Sequence, residues 1–400
     1  MRVLFLSQSP MESGDTGIYT DLLRTFAEHG HSVYALSPRE RRTGLPSELA
    51  HEDEINIIRV AVGNITKTNL IEKGVSTLSI GVRYLDALKR FAPGVDFDLV
   101  LYATPPTTIS GVVEKVKRAT GARAYLLLKD IFPQNAIDLG MLSRSGPKAP
   151  IYAFFKRSER KTYQAADWIG CMSPANRDYL LEHEPWLDPS RVEVNPNAII
   201  PRDLAGEDPE AFRSKYGLPS DERIFVYGGN LGKPQAIDFF IEVLRENEKD
   251  PAGFFLIAGS GTERLLLEAY FEQEAPAHAK LLGSLGRSEY DTMLCACDVG
   301  LVVLDHRFTI PNFPSRVLSY MQAGLPVVTA TDEVCDMGRI AEANGFGVAG
   351  SSASAESFLE KCRALTDEQI NDMDKRSRLY LEENYTSKTS YELIMEHFNG

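Results

Sequence analysis

One loop in the second half of the chain combines two prolines, a serine and an arginine just before a predicted helix. Pro311 and Pro314 favour an extended loop, and Ser315 can cap a helix that begins directly after Pro314. Arg316 stands in the first turn of that helix. The unpaired N–H groups at a helix start, the helix dipole and this arginine together suit an anionic ligand such as a diphosphate. The segment therefore predicts a phosphate-binding site.

Two glycine-rich turns follow predicted strands in the same half of the chain. The strand at 223–227 runs into Gly228-Gly229-Asn230, and the strand at 253–258 runs into Gly259-Ser260-Gly261. A strand, a glycine turn and a helix form a geometry that cradles phosphates. Lys233, just after the first turn, can pair with charged oxygens. The first turn lacks the Gly-Lys-Ser/Thr of a P-loop, so it is a weaker signal than that motif.

The first half of the chain places a carboxylate at the end of a predicted strand. Asp130 follows the strand at 122–129, where ligands of doubly wound sheets collect. It is either a polar group facing a reacting substrate or only a helix cap. Gly14 and Gly17 lie in the loop after the first strand and either approach a ligand or serve a flexible turn. Their spacing does not match the dinucleotide fingerprint, so a nicotinamide cofactor is not expected.

The candidate residues described above can meet at one site only if parallel strands alternate with helices along the chain. The opening 3–36 reads strand, loop, helix, strand, which begins a doubly wound α/β sheet. The same order restarts at 223. A chain of 400 residues suits two domains, for which the linker rich in Pro, Gly and acidic residues at 201–208 gives the boundary. We expect an N-terminal domain at 1–200 and a C-terminal domain at 201–386.

Composition limits the classes of partner. The net charge of −13 argues against nucleic acid, and no apolar run is long enough to span a membrane. Five cysteines without metal-ligand spacing indicate reduced thiols and a cytoplasmic protein. Basic residues cluster at 39–42, 115–118 and 156–161. These clusters are either solvated helix faces or a surface for anionic lipid or a phosphorylated acceptor, which would make the protein peripheral at the inner face of the membrane.

The segment at 314–328 is the most specific signal in the chain. Its pattern, Pro-Ser-Arg-x-x-x-Tyr-Met-x-Ala-Gly-x-Pro-Val-Val, resembles the donor-site segment of bacterial nucleotide-sugar glycosyltransferases of glycosyltransferase family 4. The resemblance implies the GT-B fold, two Rossmann-like domains facing across a cleft, with the last helix at 387–400 packed back on the first domain. It also implies an N-terminal acceptor-side domain and a C-terminal domain that binds the donor.

The resemblance further implies a reaction. A hexosyl or N-acetylhexosaminyl group would move, with retention, from a nucleotide diphosphate sugar to a carbohydrate or lipid-linked acceptor in cell-surface polysaccharide synthesis. We expect UDP as the nucleotide, and neither a cofactor nor a metal. The implied catalytic residues are Asp130, whose Asp-x-x-Pro context resembles a bacterial branch of the family, Lys233 and Arg316. The implied donor-binding residues are Gly14, Gly17, Gly229, Asn230, Gly259, Ser260, Asn312, Phe313, Pro314, Ser315 and Ser319.

The sequence departs from the family pattern at three positions of the expected donor site. Pro311 and Ser319 stand where two glutamates are usual, and Asn230 replaces the usual arginine of the glycine turn. Ser319 can still hydrogen-bond a ribose hydroxyl, although a neutral acceptor forms a weaker bond than a charged one. Two alternatives therefore stay open: a UDP-sugar 2-epimerase of the same architecture, and a non-catalytic scaffold that binds sugar nucleotides.

Overall fold

The computed structural model describes residues 1–11, 14, 16–65, 70–105 and 107–398. Two compact units divide the chain: Met1–Ile200 with Ser387–Gly400, and Pro201–Thr386. Each unit is an α/β domain built on a mainly parallel sheet, which confirms the predicted fold class. The predicted last helix ends at Glu396, and residues 399 and 400, which the prediction included, lie outside the described part.

The sheet of the first unit has eight strands in the order β3-β4-β2-β1-β5-β6-β7-β8. All neighbouring strands run parallel except β3, which pairs antiparallel with β4 at the edge. The strands are β1 Arg2–Leu6, β2 Ser32–Glu40, β3 Glu48–Glu52, β4 Ile55–Val62, β5 Leu99–Ala103, β6 Arg123–Leu128, β7 Trp168–Cys171 and β8 Val192–Val194.

Helices cover both faces of this sheet. Because side chains alternate along a strand, Leu4 and Leu6 enter one core whereas Val3 and Phe5 enter the other. Burial on both faces explains why the central strands are continuous apolar runs. The helices of this unit are α1 Ile18–Glu28, α2 Leu70–Phe91, α3 Ser110–Thr120, α4 Gln134–Asp138, α5 Ala149–Ala165, α6 Pro174–His183 and, from the chain end, Ser387–Glu396.

The second unit repeats the pattern with six parallel strands in the order β11-β10-β9-β12-β13-β14. These strands are β9 Ile224–Asn230, β10 Phe254–Ser260, β11 Ala279–Leu282, β12 Val299–Val303, β13 Val327–Ala330 and β14 Gly347–Val348. The helices are α7 Pro209–Tyr216, α8 Ile237–Lys249, α9 Arg264–Glu274, α10 Arg287–Cys295, α11 Arg316–Gln322, α12 Met337–Ala343, α13 Ala355–Ala364 and α14 Asp367–Asn384; the helix at Ser387–Glu396 in the first unit is α15.

Helix α15 returns to the first unit and packs on α1. Tyr391 and Ile394 enter the same core as Phe26, whose ring meets that of Tyr391 edge-on at 4.8 Å. The hydroxyl groups of Thr25 and Ser387 are also hydrogen-bonded at 2.7 Å. The chain end is therefore part of the first core. Among the described helices, none combines the length and the apolarity that crossing a bilayer requires.

One local prediction is wrong. Ser315 occupies the position before α11, but its side chain makes no capping hydrogen bond, because its backbone is already helical (φ −64°, ψ −18°). A capping side chain normally requires extended backbone at that position. Helix α11 has only seven residues, so its dipole is short.

Candidate active site

The glycine segments that were predicted as turns are instead the last residues of strands β9 and β10, which end at Asn230 and Ser260. These two strand ends, called the β9 turn and the β10 turn because the chain leaves the sheet directly after them, lie side by side in the second unit. Gly229 and Gly259 are register partners, as are Asn230 and Ser260. Gly259 has φ +153°, and a Cβ there would lie 1.8 Å from the main-chain oxygen of Gly229. No larger residue fits at this contact. Because Gly229 and Gly259 have no side chains, a ligand can approach the main chain of both turns closely.

Arg316, the first residue of α11, extends its guanidinium group towards the β9 turn. Its Cζ atom lies 4.3 Å from the centre of the Tyr227 ring, which is a cation–π distance. A Cβ at Gly229 would lie 3.9 Å from Nη1 of the arginine. This Nη1 is buried and has no hydrogen-bond partner among the described residues. An arginine always carries its charge, so the arrangement holds an unsatisfied cationic donor beside the glycine turn.

Tyr320 connects α11 to the same turn. Its hydroxyl group accepts a hydrogen bond from the Gly228 N–H at 3.0 Å and donates one to the Leu301 carbonyl at 3.1 Å. The ring packs on Gly300, where a Cβ would lie 2.5 Å from a ring carbon. Arg316, Tyr320 and the β9 turn therefore form one rigid assembly.

The two other polar residues of the first turn differ in their availability. Asn230 donates through Nδ2 to Oε1 of Gln235 at 2.9 Å, and Gln235 also accepts from the Gly232 N–H at 3.2 Å. The Asn230 side chain is thus held within the turn. Lys233 begins the short 3-10 helix Lys233–Gln235 and is exposed. Its ammonium group remains available to a ligand.

The loop before α11 presents its residues unevenly. Phe313 is buried, with its ring 5.8 Å from that of Tyr385, so it contributes to the core and offers a ligand only its main chain. The Asn312 carbonyl accepts from the Cys335 thiol at 3.0 Å. Pro314 is half-buried, and Ser315 is exposed. Ser319 is half-buried and follows Arg316 by three positions, which places both on one face of α11.

In the first unit, Asp130 lies just beyond the end of β6. Asn135 donates to both carboxylate oxygens, at 2.9 Å each, and the Asp130 main-chain oxygen accepts from the Thr104 hydroxyl at 3.0 Å. Burial raises the pKa of Asp130 to about 6, although the hydrogen bonds from Asn135 and the Ile131 main chain oppose that rise. Asp130 is therefore an oriented carboxylate that titrates close to neutral pH.

The two glycines of the first loop have different geometries. Gly14 is exposed with φ +77°, a conformation that favours glycine. Gly17 precedes α1, and its main-chain oxygen accepts from the Asp21 N–H at 2.9 Å. Tyr19, in the first turn of α1, is near enough to Asp130 for that carboxylate to raise the tyrosine pKa, after the larger effect of burial. The neighbouring loop residues 12, 13 and 15 lie outside the described part.

The structure thus brings most predicted residues together within each unit. It groups Gly229, Asn230, Gly259, Ser260, Lys233 and Arg316 at one end of the second sheet. Sequence reasoning missed the roles of Tyr227, Gln235 and Asn135, which depend on contacts between elements. In the described part of the chain, no group of three or more His, Cys, Asp or Glu side chains is placed to hold a metal ion.

Two models of known protein families match this chain, one over each half. The family model described as Glycosyltransferase Family 4 matches residues 18–202, and the one described as Glycosyl transferases group 1 matches 208–384. WbjE of Pseudomonas aeruginosa, named as a glycosyltransferase, is 22% identical over 329 residues, 82% of this chain and 80% of that protein. WcaI of Escherichia coli K12, named for colanic acid biosynthesis, is 22% identical and covers 70% of this chain and 68% of its own.

Solved structures share the fold over the whole chain. Sucrose-phosphate synthase from Thermosynechococcus elongatus has a TM-score of 0.76 at 15% identity, covering 99% of this chain and 98% of its own. Anabaena Alr3699/HepE in complex with UDP and glucose has a TM-score of 0.70 at 13% identity, covering 100% of this chain and 99% of its own. An Escherichia coli trehalose-6-phosphate protein bound with UDP-2-fluoro glucose has a TM-score of 0.73 at 14% identity, covering 99% of this chain and 98% of its own. These structures show the fold, whereas the two family models together match most of the chain, which therefore belongs to the bacterial glycosyltransferases of the GT-B type, family 4.

Proposed function

We propose that the protein transfers a hexosyl or N-acetylhexosaminyl group from a UDP-sugar, with retention, to a carbohydrate or lipid-linked acceptor. The UDP donor is supported by the fold shared with HepE and the trehalose-6-phosphate protein, whose structures hold UDP or a UDP-sugar. A role in polysaccharide biosynthesis is supported by the similarity to WcaI. Retention rests on the sequence resemblance to family 4.

The unpaired Nη1 of Arg316 is the observation that carries this proposal. When the bond between the sugar C1 and the phosphate oxygen breaks, negative charge develops on the leaving diphosphate. A guanidinium held against Tyr227 beside the glycine turn stabilises that charge without reorganising. Lys233 adds a second cation, which is exposed. These two charges are the reason why we propose a reaction without a metal or cofactor.

Asp130 is proposed to face the reacting sugar and the acceptor. Its carboxylate is fixed by Asn135 and is largely ionised at neutral pH, because its pKa is about 6. It can therefore orient the acceptor hydroxyl or accept its proton as the new C1–O bond forms. Gly14, Gly17 and Ser319 remain proposed donor contacts, with Ser319 binding a ribose hydroxyl.

Peripheral membrane contact is proposed at the start of α5, which is the surface formed by Met141, Ile151 and Phe154. These side chains are 54%, 50% and 47% exposed. The basic residues Lys148 and Arg157 are exposed near them in the sequence. Exposed apolar side chains with lysine and arginine form the composition that binds anionic lipid surfaces.

Ring contacts lead from this surface towards Asp130. Phe154 meets Phe155 with ring centres 5.3 Å apart, and Phe155 meets Phe132 at 4.9 Å. Phe132 is two residues from Asp130. This continuity is why we favour a lipid-linked acceptor, whose reacting sugar would reach Asp130 while its lipid remains in the bilayer.

The test is incubation of the purified protein with UDP-, GDP- and ADP-sugars, in the presence of a chelator, while hydrolysis of each donor is followed. We expect slow release of UDP and of a sugar that retains the anomeric configuration. A 2-epimer product would instead indicate the epimerase, and tight binding without turnover would indicate the scaffold. Arg316→Ala should lose this activity, whereas Arg339→Ala, a change at an exposed residue of α12, should keep it.

A further inference from the structure

Lys129, the residue before Asp130, has an ammonium group that no carboxylate of the described residues pairs with. The side chain is partly buried, and its one hydrogen bond to a described residue runs from Nζ to the Asn195 main-chain oxygen at 3.5 Å, the limit for such a bond. An ammonium has three donors. In the described part of the chain, no carboxylate lies within ion-pair distance of Lys129, whereas Lys117 pairs with Asp167 at 2.7 Å.

The groups around Lys129 do not replace that partner. Asn195 is fully buried and fixed, since its side chain accepts from Ser390 at 2.7 Å and donates to Tyr125 at 3.0 Å. Cys171, the last residue of β7, also lies near Lys129, but burial raises the pKa of its thiol to about 12. The thiol is therefore neutral near pH 7. The nearby Glu193 carboxylate also raises the pKa of the Cys171 thiol. This carboxylate accepts a hydrogen bond from the Tyr125 hydroxyl at 2.7 Å.

A second unsatisfied atom lies at the same end of the sheet. Asn197 follows β8, is buried, and its Oδ1 has no hydrogen-bond partner among the described residues. Oδ1 of Asn135, which follows β6, is also a buried atom without a hydrogen-bond partner among the described residues. Lys129 and Asn135 come after the carboxyl end of β6, and Asn197 comes after that of β8, with β7 between these two strands. All three residues therefore lie at the end of the parallel strands where α/β sheets bind ligands. Native proteins seldom leave such atoms unpaired, so they indicate groups that a ligand satisfies.

We propose that Lys129 binds a phosphate group carried by the acceptor substrate, next to Asp130. This inference rests on the proposed transfer reaction and adds to it the chemical class of the acceptor, a phosphate or diphosphate ester of a sugar. The Asn135 and Asn197 oxygens accept hydrogen bonds from the hydroxyl groups of that sugar. A compact ammonium with open donors is a common phosphate ligand in proteins.

The electrostatic environment of Lys129 agrees with this assignment. Burial lowers the pKa of Lys129 to about 7, so the folded protein keeps an ammonium that is easily discharged in the absence of a ligand. A phosphate placed against it compensates the lost hydration, and an opposite charge at that distance raises a lysine pKa by about 1–3 units. Phosphate binding should therefore be accompanied by a measurable change in the titration of this one residue.

The experiment uses the full chain with its lysines reductively methylated with ¹³C, so that each gives a separate NMR signal. The Lys129 signal is identified by its loss in Lys129→Met, or in Lys129→Arg if the first variant folds poorly. We expect phenyl phosphate to raise the Lys129 pKa by about one unit or more. Lys89, an exposed lysine on α2 outside the three basic clusters, is the matched control and should not respond.

Two further titrations identify the source of the phosphate. If inorganic phosphate or phosphatidylglycerol vesicles shift Lys129 as strongly as the ester does, the site is not specific for an acceptor, and the proposal fails. It also fails if the Lys129 signal does not move at the highest ester concentration the protein tolerates, or if Lys89 moves equally. UDP binding is measured separately by calorimetry, so loss of the donor site is distinguishable from failure of this inference.

Discussion

The Tyr320 hydroxyl lies 3.0 Å from the main-chain nitrogen of Gly228 and accepts its hydrogen bond. Through this contact the short helix α11 fixes the position of the β9 turn, and the same helix carries Arg316 over that turn. The Tyr320 side chain thus links the β9 turn to the helix that carries the Arg316 guanidinium. This coupling explains how a seven-residue helix can place a charge accurately.

Tyr320→Phe should therefore lower both stability and donor affinity. The change leaves the buried Gly228 N–H and the Leu301 carbonyl without their partner, which costs about 1–3 kcal/mol. We expect a lower melting temperature by differential scanning fluorimetry and weaker protection by added UDP. Tyr152→Phe is the control, because the Tyr152 hydroxyl makes no hydrogen bond to a described residue. Equal melting curves for Tyr320→Phe and the wild type would contradict this role.

Gly259→Ala should disrupt the paired turns. The new methyl group would meet the Gly229 oxygen at 1.8 Å in a backbone conformation of φ +153°, so the two strands must separate. We expect a loss of about 3 kcal/mol of stability and of nucleotide binding. Gly283→Ala, where no atom lies within 4 Å of the added Cβ, should leave both unchanged. Denaturant unfolding with and without UDP measures the difference.

Asp130→Asn should make the protein less active but more stable. Because the folded-state pKa of about 6 lies above the usual 3.8, ionised Asp130 opposes folding. The amide should therefore add about 1–3 kcal/mol above pH 6, at roughly 1.4 kcal/mol per pKa unit. The gain should shrink as the pH falls from 6 towards 4, since the wild-type carboxyl then becomes neutral too. Unfolding measured across this range checks the sign, and a gain that grows on acidification would refute it.

The acid limb of the pH–activity profile should report the same carboxylate. We expect turnover to fall as the pH drops through about 6, because Asp130 must be ionised to orient the acceptor or accept its proton. Asn135→Ala removes the amide that lowers the Asp130 pKa, so the limb should move to higher pH. Asn344→Ala, at the end of α12, is the control. An unmoved limb in Asn135→Ala would exclude Asp130 as the titrating group.

The sequence predicted those parts of the fold that depend on local pattern. The apolar runs of β5 and β12, the glycines at the end of β9 and the helix at Ser387–Glu396 all have signals that can be read directly, although the glycines were predicted to follow the strand and not to end it. The edge strand β3 was missed because its residues are mostly exposed and polar. Helix α7 was also missed, although Asp208, Pro209 and Gly217 carry clear start and stop signals.

The site could be predicted only as a set of residue types. Arg316 and Lys233 follow from the motif and the turn, but the cation–π contact with Tyr227 joins residues 89 positions apart, which no spacing rule predicts. The Ser315 cap failed for a related reason: the residue type was right, but the backbone conformation that capping needs was absent. Likewise, the position of Lys129 without a counterion depends on where β7 and β8 end.

The central claim is that Arg316 binds the donor diphosphate, and calorimetric titration with UDP tests it most directly. A hydrogen bond to a charged group contributes about 1.5–3 kcal/mol, so Arg316→Ala should weaken UDP binding by roughly 10- to 100-fold. Arg339→Ala should bind UDP like the wild type. If Arg316→Ala, shown to be folded by its circular dichroism spectrum, bound UDP with unchanged affinity, the proposed donor site would be wrong.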